Sequence, residues 1–380
     1  MTPGGVARSS LAAEAAYDVV IVGARVAGAL LAIVLGQQGR RVLLIDRATF
    51  PSDTLSTHFF RAPALRAFRQ AGVLDEVLAS APPLTWDHNV VDGIVFPEPV
   101  TRPEDYPFYL CLRRIVLDDI LTRRARATTH VQFTEGAPVD TLLRQGDGVR
   151  GISWAESGDR RQASARVVVG ADGIHSWMAR QVSPAIEQHE PVNRAMYFGY
   201  YRGIEPSANP AAEFHYRENH LVYCFPCDGG LTLLAASVPV EEFAAFRRDP
   251  AGHLAAEVNA MVDLAPRVRN AERAGRVLGA GNIPGYLRVP YGNGWALVGD
   301  AAMAMDPWSG QGIDQAATHA VLLARWLGDF LDGRIGWGEA MQAYHQERNE
   351  FSLETFRRTC RFGRDLRPMT QAALARRGLA

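Results

Sequence analysis

The chain has 380 residues, 47% hydrophobic and 21% charged, with a formal net charge of -1. That is an ordinary globular composition, long enough for one large or two interleaved domains, and it excludes a nucleic-acid binder driven by phosphate neutralisation. There is no lysine, all 40 basic residues being arginine, which excludes Schiff-base chemistry, a lysine general acid and the lysine of a phosphate loop.

Residues 1–16 read as a small-residue tail, predicted to be mobile. Glu14 interrupts what apolar character it has, so no secretory leader is expected and the protein is expected to be cytoplasmic. The stretch Asp18-Val19-Val20-Ile21-Val22-Gly23-Ala24-Arg25-Val26-Ala27-Gly28 is a β-branched strand that ends at a glycine. It passes at once into a helix, with Leu30, Leu31, Val34 and Leu35 at spacings of three and four. Gly39 and Arg40 close that helix, and Arg41-Val42-Leu43-Leu44-Ile45-Asp46 is a second buried strand ending in an acid.

Strand, glycine turn, helix, strand and acid together form a dinucleotide-binding unit. A pyrophosphate is brought to the positive end of the helix, where unpaired N–H groups point at it. Gly23, Gly28, Asp46 and the adjacent Arg47 are candidate contacts, and Asp46 stands where a carboxylate accepts hydrogen bonds from ribose hydroxyls. Arg25 holds the place of a fingerprint glycine, so its side chain must turn away from the phosphates or lay its guanidinium along them. Gly and Arg interrupt the apolar run from Val19 to Leu35, which reads as buried strand and helix and not as a membrane span.

The polar stretch from Arg47 to His58 leaves the carboxyl end of the second strand, where cofactor-facing loops begin. One helix is predicted over Ala64 to Ala79, an excursion with short strands over Pro82 to Pro107, and a helix from Arg113 to about Ala127. A strand pair fills Gly146 to Ala165, followed by the buried strand Arg166-Val167-Val168-Val169-Gly170. From Asn193 to Val238 the pattern is β-rich, then helical around Glu241–Arg248 and His253–Leu264. Strands recur at Val277–Ile283 and Trp295–Val298, a long amphipathic helix follows from about Ile313 to Leu331, and the arginine-rich end is helical.

Two later stretches repeat the form of the first: apolar strand, glycine, aspartate, small residue. One is Val168-Val169-Gly170-Ala171-Asp172-Gly173; the other is Ala296-Leu297-Val298-Gly299-Asp300-Ala301, followed by Asp306-Pro307-Trp308-Ser309-Gly310-Gln311-Gly312. Either aspartate alone is more often a helix cap or turn residue; the three in this order are not.

On these motifs the sequence resembles the single-component FAD-dependent monooxygenases with the para-hydroxybenzoate hydroxylase fold, over about Tyr17 to Leu331. Geranylgeranyl-reductase-like enzymes and flavin-dependent halogenases are relatives of that family. The resemblance implies an α/β fold: a Rossmann-like FAD-binding domain of the GR2 type with a mixed parallel sheet, interleaved with a β-sheet-rich substrate domain. It places the FAD-binding domain at 17–80, 105–190 and 285–345, the substrate domain at 81–104 and 191–284, and C-terminal helices at 346–380. It implies FAD as cofactor and NADPH or NADH as reductant. Gly23 and Gly28 would bind the ADP part, Asp46 the ribose, Asp172 and Gly173 both FAD and NAD(P)H, and Gly299 and Asp300 the ribityl chain and phosphate. Arg114, heading an Arg-x-x-Leu-x-x-x-Leu helix, would touch FAD. The loop with Pro307, Gly310, Gln311 and Gly312 would bring N–H groups and a helix start to the pyrimidine edge of the flavin. Arg25, Met303 and His319 depart from the family pattern.

The implied activity is hydroxylation or epoxidation of a hydrophobic or aromatic small molecule by O2 through a flavin hydroperoxide, in secondary-metabolite tailoring. Alkene reduction, or a non-redox scaffold or cyclase, are the alternatives. Halogenases depend on a lysine and on a Trp-x-Trp-x-Ile-Pro stretch; this chain has neither, which sets that branch aside. Tyr197, Tyr201, Phe214, Tyr216, Tyr223 and Phe225 lie on β-rich runs and are candidate substrate contacts, although each is singly more often core. His58 and Trp308, on loops expected near the flavin ring, are the candidates for direct chemistry. No metal site and no disulfide is expected. Cys224 and Cys227, three apart on a strand, point to opposite faces, and the default for all four cysteines is structural burial.

Overall fold

The computed structural model describes residues 16–378 apart from 57 and 157; the predicted tail lies almost wholly outside the described residues. The chain opens with β1 (Tyr17–Val22), α1 (Val26–Gln37) and β2 (Val42–Ile45). It continues through β3 (Phe59–Phe60), α2 (Ala62–Ala71), α3 (Leu74–Ser80), β4 (Trp86–Val91), β5 (Ile94–Pro99), β6 (Leu110–Cys111) and α4 (Arg114–Ala127). Then come β7 (Val131–Thr134), β8 (Val139–Gln145), β9 (Gly148–Glu156), β10 (Asp159–Gly170), α5 (Trp177–Val182) and β11 (Ile186–Glu190). The single helix expected over 64–79 is two, because Gly72 adopts a left-handed φ of 72° and ends α2 there.

The β-rich region holds β12 (Arg194–Arg202), β13 (Ala211–Arg217), β14 (His220–Pro226) and β15 (Thr232–Pro239), then α6 (Phe243–Arg248) and α7 (Pro250–Asn259). After it come β16 (Glu272–Arg273), β17 (Leu278–Ala280), β18 (Gly285–Arg288), β19 (Tyr291–Gly292), β20 (Trp295–Leu297), β21 (Met303–Ala304), α8 (Gly312–Leu331), α9 (Trp337–Arg364) and α10 (Arg367–Ala375). A boundary at 346 is not a break in the chain: α9 runs straight through it.

Two large sheets organise the molecule. In the first the order is β19-β20-β10-β1-β2-β7, with β20, β10, β1, β2 and β7 parallel. Register sets Val22 beside Gly170, and Gly170 beside Leu297, so the three glycine-bearing strand ends stand side by side at one edge. That is where open α/β sheets bind ligands. α1 is buried all round, consistent with its nearly unbroken apolar sequence. The second sheet, β16-β12-β15-β14-β13-β4-β5, draws in β4 and β5 through the parallel β13–β4 pair. Both of its faces are covered: Phe198, Tyr223, Phe225 and Leu233 pack on one side, and Tyr197, Val222, Leu234 and Phe246 on the other.

Candidate active site

The three sequence signatures meet at the carboxyl ends of the first sheet's strands, where a groove for a ligand is expected. A Cβ at Gly28 would overlap the Gly23 carbonyl and lie 3.1 Å from Ala171 Cβ; one at Gly23 would overlap the Ala171 carbonyl. A Cβ at Gly299 would come 2.9 Å from Ala27 Cβ. The first turn of α1 is thus wedged between the other two motifs, and only glycine fits the contacts. Asp46 closes the turn: Ala24 N–H donates to its Oδ2 at 2.6 Å and Ala48 N–H to its Oδ1 at 2.8 Å. Arg47 beside it is exposed.

Asp172 has a local task. It accepts from the Ser176 hydroxyl at 2.5 Å and from Met178 N–H at 3.0 Å, supporting the Ser176 cap of α5. That is the helix-cap role the sequence also allows. Gly173 has a φ of +77° with open space where a Cβ would stand. Asp300 keeps some exposed surface, but protein crowds its carboxyl and the lost hydration raises its pKa to about 6.

Arg25 resolves one of the two alternatives left open by the sequence. It turns sideways, its Nη1 2.5 Å from Asp118 Oδ2, a carboxylate with no exposed surface. Arg114 meets the same carboxylate at 2.9 Å from the first turn of α4. Arg113 faces the other way and grips Asp228 in the second sheet's 227–231 turn.

The loop 305–312 leads into α8, whose Gln311 cap position makes no side-chain hydrogen bond; the space beside Gly312 is open. The Arg25 cap position of α1 is likewise without a side-chain cap, and α1 has no acid in its first turn. Both helix starts thus lack a side-chain cap, and the first-turn N–H groups, which have no intrahelical acceptor, are a donor set that fits an anionic dinucleotide. Arg61, which sequence reasoning missed, ties this loop down. It donates to the Gly310 and Ser309 carbonyls at 3.0 and 3.3 Å and pairs with Asp314, while its guanidinium lies 4.5 Å from the Phe59 ring centroid. Its partners are some 250 residues away in sequence, which left no local signal.

The two residues singled out for direct chemistry are both enclosed. Trp308 donates through Nε1 to the Thr359 carbonyl at 2.9 Å, which fastens the loop to α9. His58, at a φ of +62°, is fully buried with Nε2 2.7 Å from the Tyr200 hydroxyl. Burial and the nearby Arg114 hold its pKa down to about 3, so the ring is neutral. Packing against protein encloses both side chains, and these contacts hold the two loops in place.

Strand alternation divides the six candidate substrate residues. Phe214, Tyr216, Tyr223 and Phe225 share the face turned toward Phe59 and Trp308. Tyr197 and Tyr201 take the opposite face, under α6 and α7, where Tyr197 stacks on Phe246 at 4.0 Å between centroids; they are withdrawn as substrate contacts. The inner face instead holds Met196, Phe198 and Tyr200. Near its edge lies Asp87, 2.8 Å from Asn89 Nδ2 and 3.4 Å from the Tyr109 hydroxyl; burial raises its pKa to about 6. All four cysteines are free and buried, with Cys224 on the outer face and Cys227 on the inner.

Comparison with known proteins agrees with this geometry. The FAD binding domain family matches residues 16–242 and 289–359. The chain is 23% identical over 342 residues to a 1H-pyrrole-2-carbonyl-[peptidyl-carrier protein] brominase from Pseudoalteromonas luteoviolacea, covering 88% of this chain and 82% of that protein. It is 26% identical over 336 residues to a 3-(3-hydroxy-phenyl)propionate/3-hydroxycinnamic acid hydroxylase from Burkholderia vietnamiensis, covering 85% of this chain but only half of the hydroxylase. The myxobacterial chondrochloren halogenase superposes with a TM-score of 0.82 at 22% identity, covering 90% of this chain and 81% of that one. Halogenases, set aside on sequence grounds, thus stand among the neighbours in fold. Among the described residues no helix is long and apolar enough to cross a membrane. Three interlocked strand-end motifs and a family match over most of the chain lead to one conclusion: this protein belongs to the FAD binding domain family, as a flavin-dependent oxidoreductase of the monooxygenase group with the para-hydroxybenzoate hydroxylase fold.

Proposed function

We propose that the chain is an NAD(P)H-consuming monooxygenase that uses O2 to hydroxylate or epoxidise a hydrophobic or aromatic small molecule in secondary-metabolite tailoring. The observation that carries this reading is the contact between the inner face of the second sheet and the loop at the start of α8. Phe59 packs on Phe225 at 4.8 Å between centroids and lies against Gly310, so aromatic wall and cofactor loop adjoin. Bound FAD supplies hydride acceptance from the nicotinamide and activation of oxygen.

The chain's own residues do the rest. Gly23, Gly28, Asp46 and Arg47 hold the ADP part, and Gly299 and Asp300 face the ribityl chain. Asp172 shapes the turn that carries Gly173. Pro307, Gly310, Gln311 and Gly312 bring the start of α8 to the flavin ring, where its N–H groups favour negative charge. Phe214, Tyr216, Tyr223 and Phe225 form the apolar wall that excludes water, and Asp87 with Tyr109 gives that wall a polar end. Neutral His58 and buried Trp308 position the loops on which they sit.

The test is aerobic and anaerobic turnover of the FAD-loaded protein with NADPH or NADH and a panel of phenols, anilines and polycyclic aromatics. Substrate-triggered NAD(P)H consumption with a product heavier by one oxygen is the expected result. A saturated product formed without oxygen makes the protein a reductase. A brominated product formed when bromide is added makes it a halogenase, despite the missing lysine. Binding of FAD with no NAD(P)H consumption leaves a non-redox scaffold or cyclase.

A further inference from the structure

A glycine is expected at position 25, and the arginine there makes contacts that tie three elements together. From the cap position of α1 its guanidinium reaches Asp118, one turn into α4, and the loop that follows β2. Nη1 donates to the Ser52 carbonyl at 3.3 Å; Nη2 donates to Ser52 Oγ and to the Asp53 carbonyl, both at 3.1 Å. The guanidinium carbon lies 5.6 Å from the centroid of Phe50 in the same loop.

Charge makes the arrangement more than a tether. Arg114 holds Asp118 through three hydrogen bonds of 2.9–3.1 Å while Arg25 takes the remaining approach. Two guanidiniums share one carboxylate that is wholly removed from water. The trio therefore keeps one positive charge in excess, with Arg25 still about a quarter exposed, its side chain at 28%. That excess stands beside the acid-free first turn of α1, where a diphosphate is drawn by the same sign of field.

We propose that Arg25 is a positioning residue for FAD. It pins residues 50–53 across the adenosine side of the groove and, with Arg114, fixes a surplus cation for the diphosphate, so that the departure from the glycine fingerprint strengthens dinucleotide binding. This rests on FAD occupying the groove and not on which reaction FAD then performs.

The fingerprint and the clamp predict opposite signs. If glycine is the better residue for close phosphate approach, Arg25→Gly tightens FAD binding or leaves it unchanged. If Arg25 acts as a clamp, Arg25→Gly weakens FAD and ADP binding by about tenfold or more, speeds FAD release, and flattens the salt dependence of binding because a fixed cation is gone. Arg114 still satisfies Asp118 in that variant, so folding is expected to survive. Should it not, Arg25→Gln and Arg25→Lys are measured in the same way, Lys retaining the charge but losing the fork.

The measurement is a fluorescence titration of the apoprotein with FAD and with ADP at low and at physiological salt, beside its melting temperature. Weaker, salt-insensitive binding in the Gly or Gln variant supports the proposal. Unchanged or tighter binding overturns it, as does a lower melting temperature with FAD affinity retained. A wild-type protein that binds FAD but oxygenates nothing would refute the proposed activity and leave this inference standing.

Discussion

Asp314 accepts two hydrogen bonds from one residue, Arg61: the backbone N–H at 2.9 Å and the guanidinium at 3.2 Å. The end of β3 is thereby fastened to the first turn of α8, and the same guanidinium holds the two carbonyls that precede it. Asp314 is almost wholly buried. Arg61→Ala would leave the buried Asp314 carboxylate with backbone donors but no counter-charge, at a cost of about 3–5 kcal/mol. The melting temperature is expected to fall, and flavin to bind less tightly as the 309–312 loop loosens. Asp314→Asn, which keeps an acceptor and removes the charge, should lose less of both.

Glycine substitutions separate packing from conformation. At Gly28 an added Cβ overlaps the Gly23 carbonyl, and nothing flexible is there to give way. Gly28→Ala is expected to yield a protein that is poorly folded or colourless, since the turn and the groove share those atoms. At Gly173 a Cβ meets open space, and only the φ of +77° opposes a side chain. Gly173→Ala should cost about 1 kcal/mol and still bind flavin. Equal loss of flavin absorbance in the two variants would contradict the geometry.

Neutral His58 makes stability depend on pH. Its folded pKa of about 3 lies below the ordinary value near 6.5, so the unfolded chain takes up a proton first as pH falls. The contribution is therefore fully present above about pH 6.5 and is lost between there and about pH 3, at about 1.4 kcal/mol per pH unit. His319, also buried and held to about 3, acts in the same sense. In the apoprotein, His58→Gln should flatten the acid side of the melting-temperature profile by one histidine's share. Tyr200→Phe removes the hydroxyl that meets His58 Nε2 and should cost about 1–3 kcal/mol at pH 7.

The strand ends were readable because a β-branched run stopping at glycine is a local signal, and three such signals in a parallel sheet must share an edge. The partners of those ends were not. Asp118 is 93 residues from Arg25, and Arg61 is 253 from Asp314. Nor was the face of each tyrosine legible. Met196 to Tyr201 is apolar or aromatic throughout apart from Gly199, because both sides of β12 are buried. A strand covered on both faces carries no alternation to show which side meets the cofactor. The break at Gly72 was legible in principle, from glycine in a left-handed cap, but the apolar spacing ran across it.

Asp306 gives a pH dependence of the opposite sign to His58. Its Oδ1 caps Trp308 N–H at 3.1 Å while Oδ2 is buried without a partner among the described residues, and burial raises its pKa to about 6. A raised carboxyl contributes stability that is fully present below the unfolded value, near pH 4, and is lost as pH rises through 6. At pH 8 the buried charge costs about 1–3 kcal/mol. Asp306→Asn keeps the cap acceptor and removes the ionisation. Its apoprotein should melt higher than wild type at pH 8, with the difference gone by pH 4. A difference that stays constant across that range would mean Asp306 is already paired.

The division of the second sheet into an inner and an outer face predicts two classes of variant on neighbouring strands. Phe214 and Phe225 lie 5.1 Å apart between centroids on the face that adjoins Phe59 and the cofactor loop. Truncating either to Ala opens the wall where substrate is proposed to lie, and costs about 3 kcal/mol or more of stability for the lost burial. Phe→Leu is the gentler probe: KM for an aromatic substrate should rise, with flavin affinity unchanged. Tyr197 sits on the other face, its hydroxyl donating to the Phe243 carbonyl at 3.2 Å. Tyr197→Phe removes that one bond, a loss of about 0.5–1.5 kcal/mol, and should leave KM, turnover and flavin binding where they were. Steady-state kinetics of Phe214→Leu, Phe225→Leu and Tyr197→Phe, with melting curves beside them, decide the matter. If Tyr197→Phe raises KM as much as Phe225→Leu does, substrate approaches from beneath α6 and α7, and the inner face is not the binding wall.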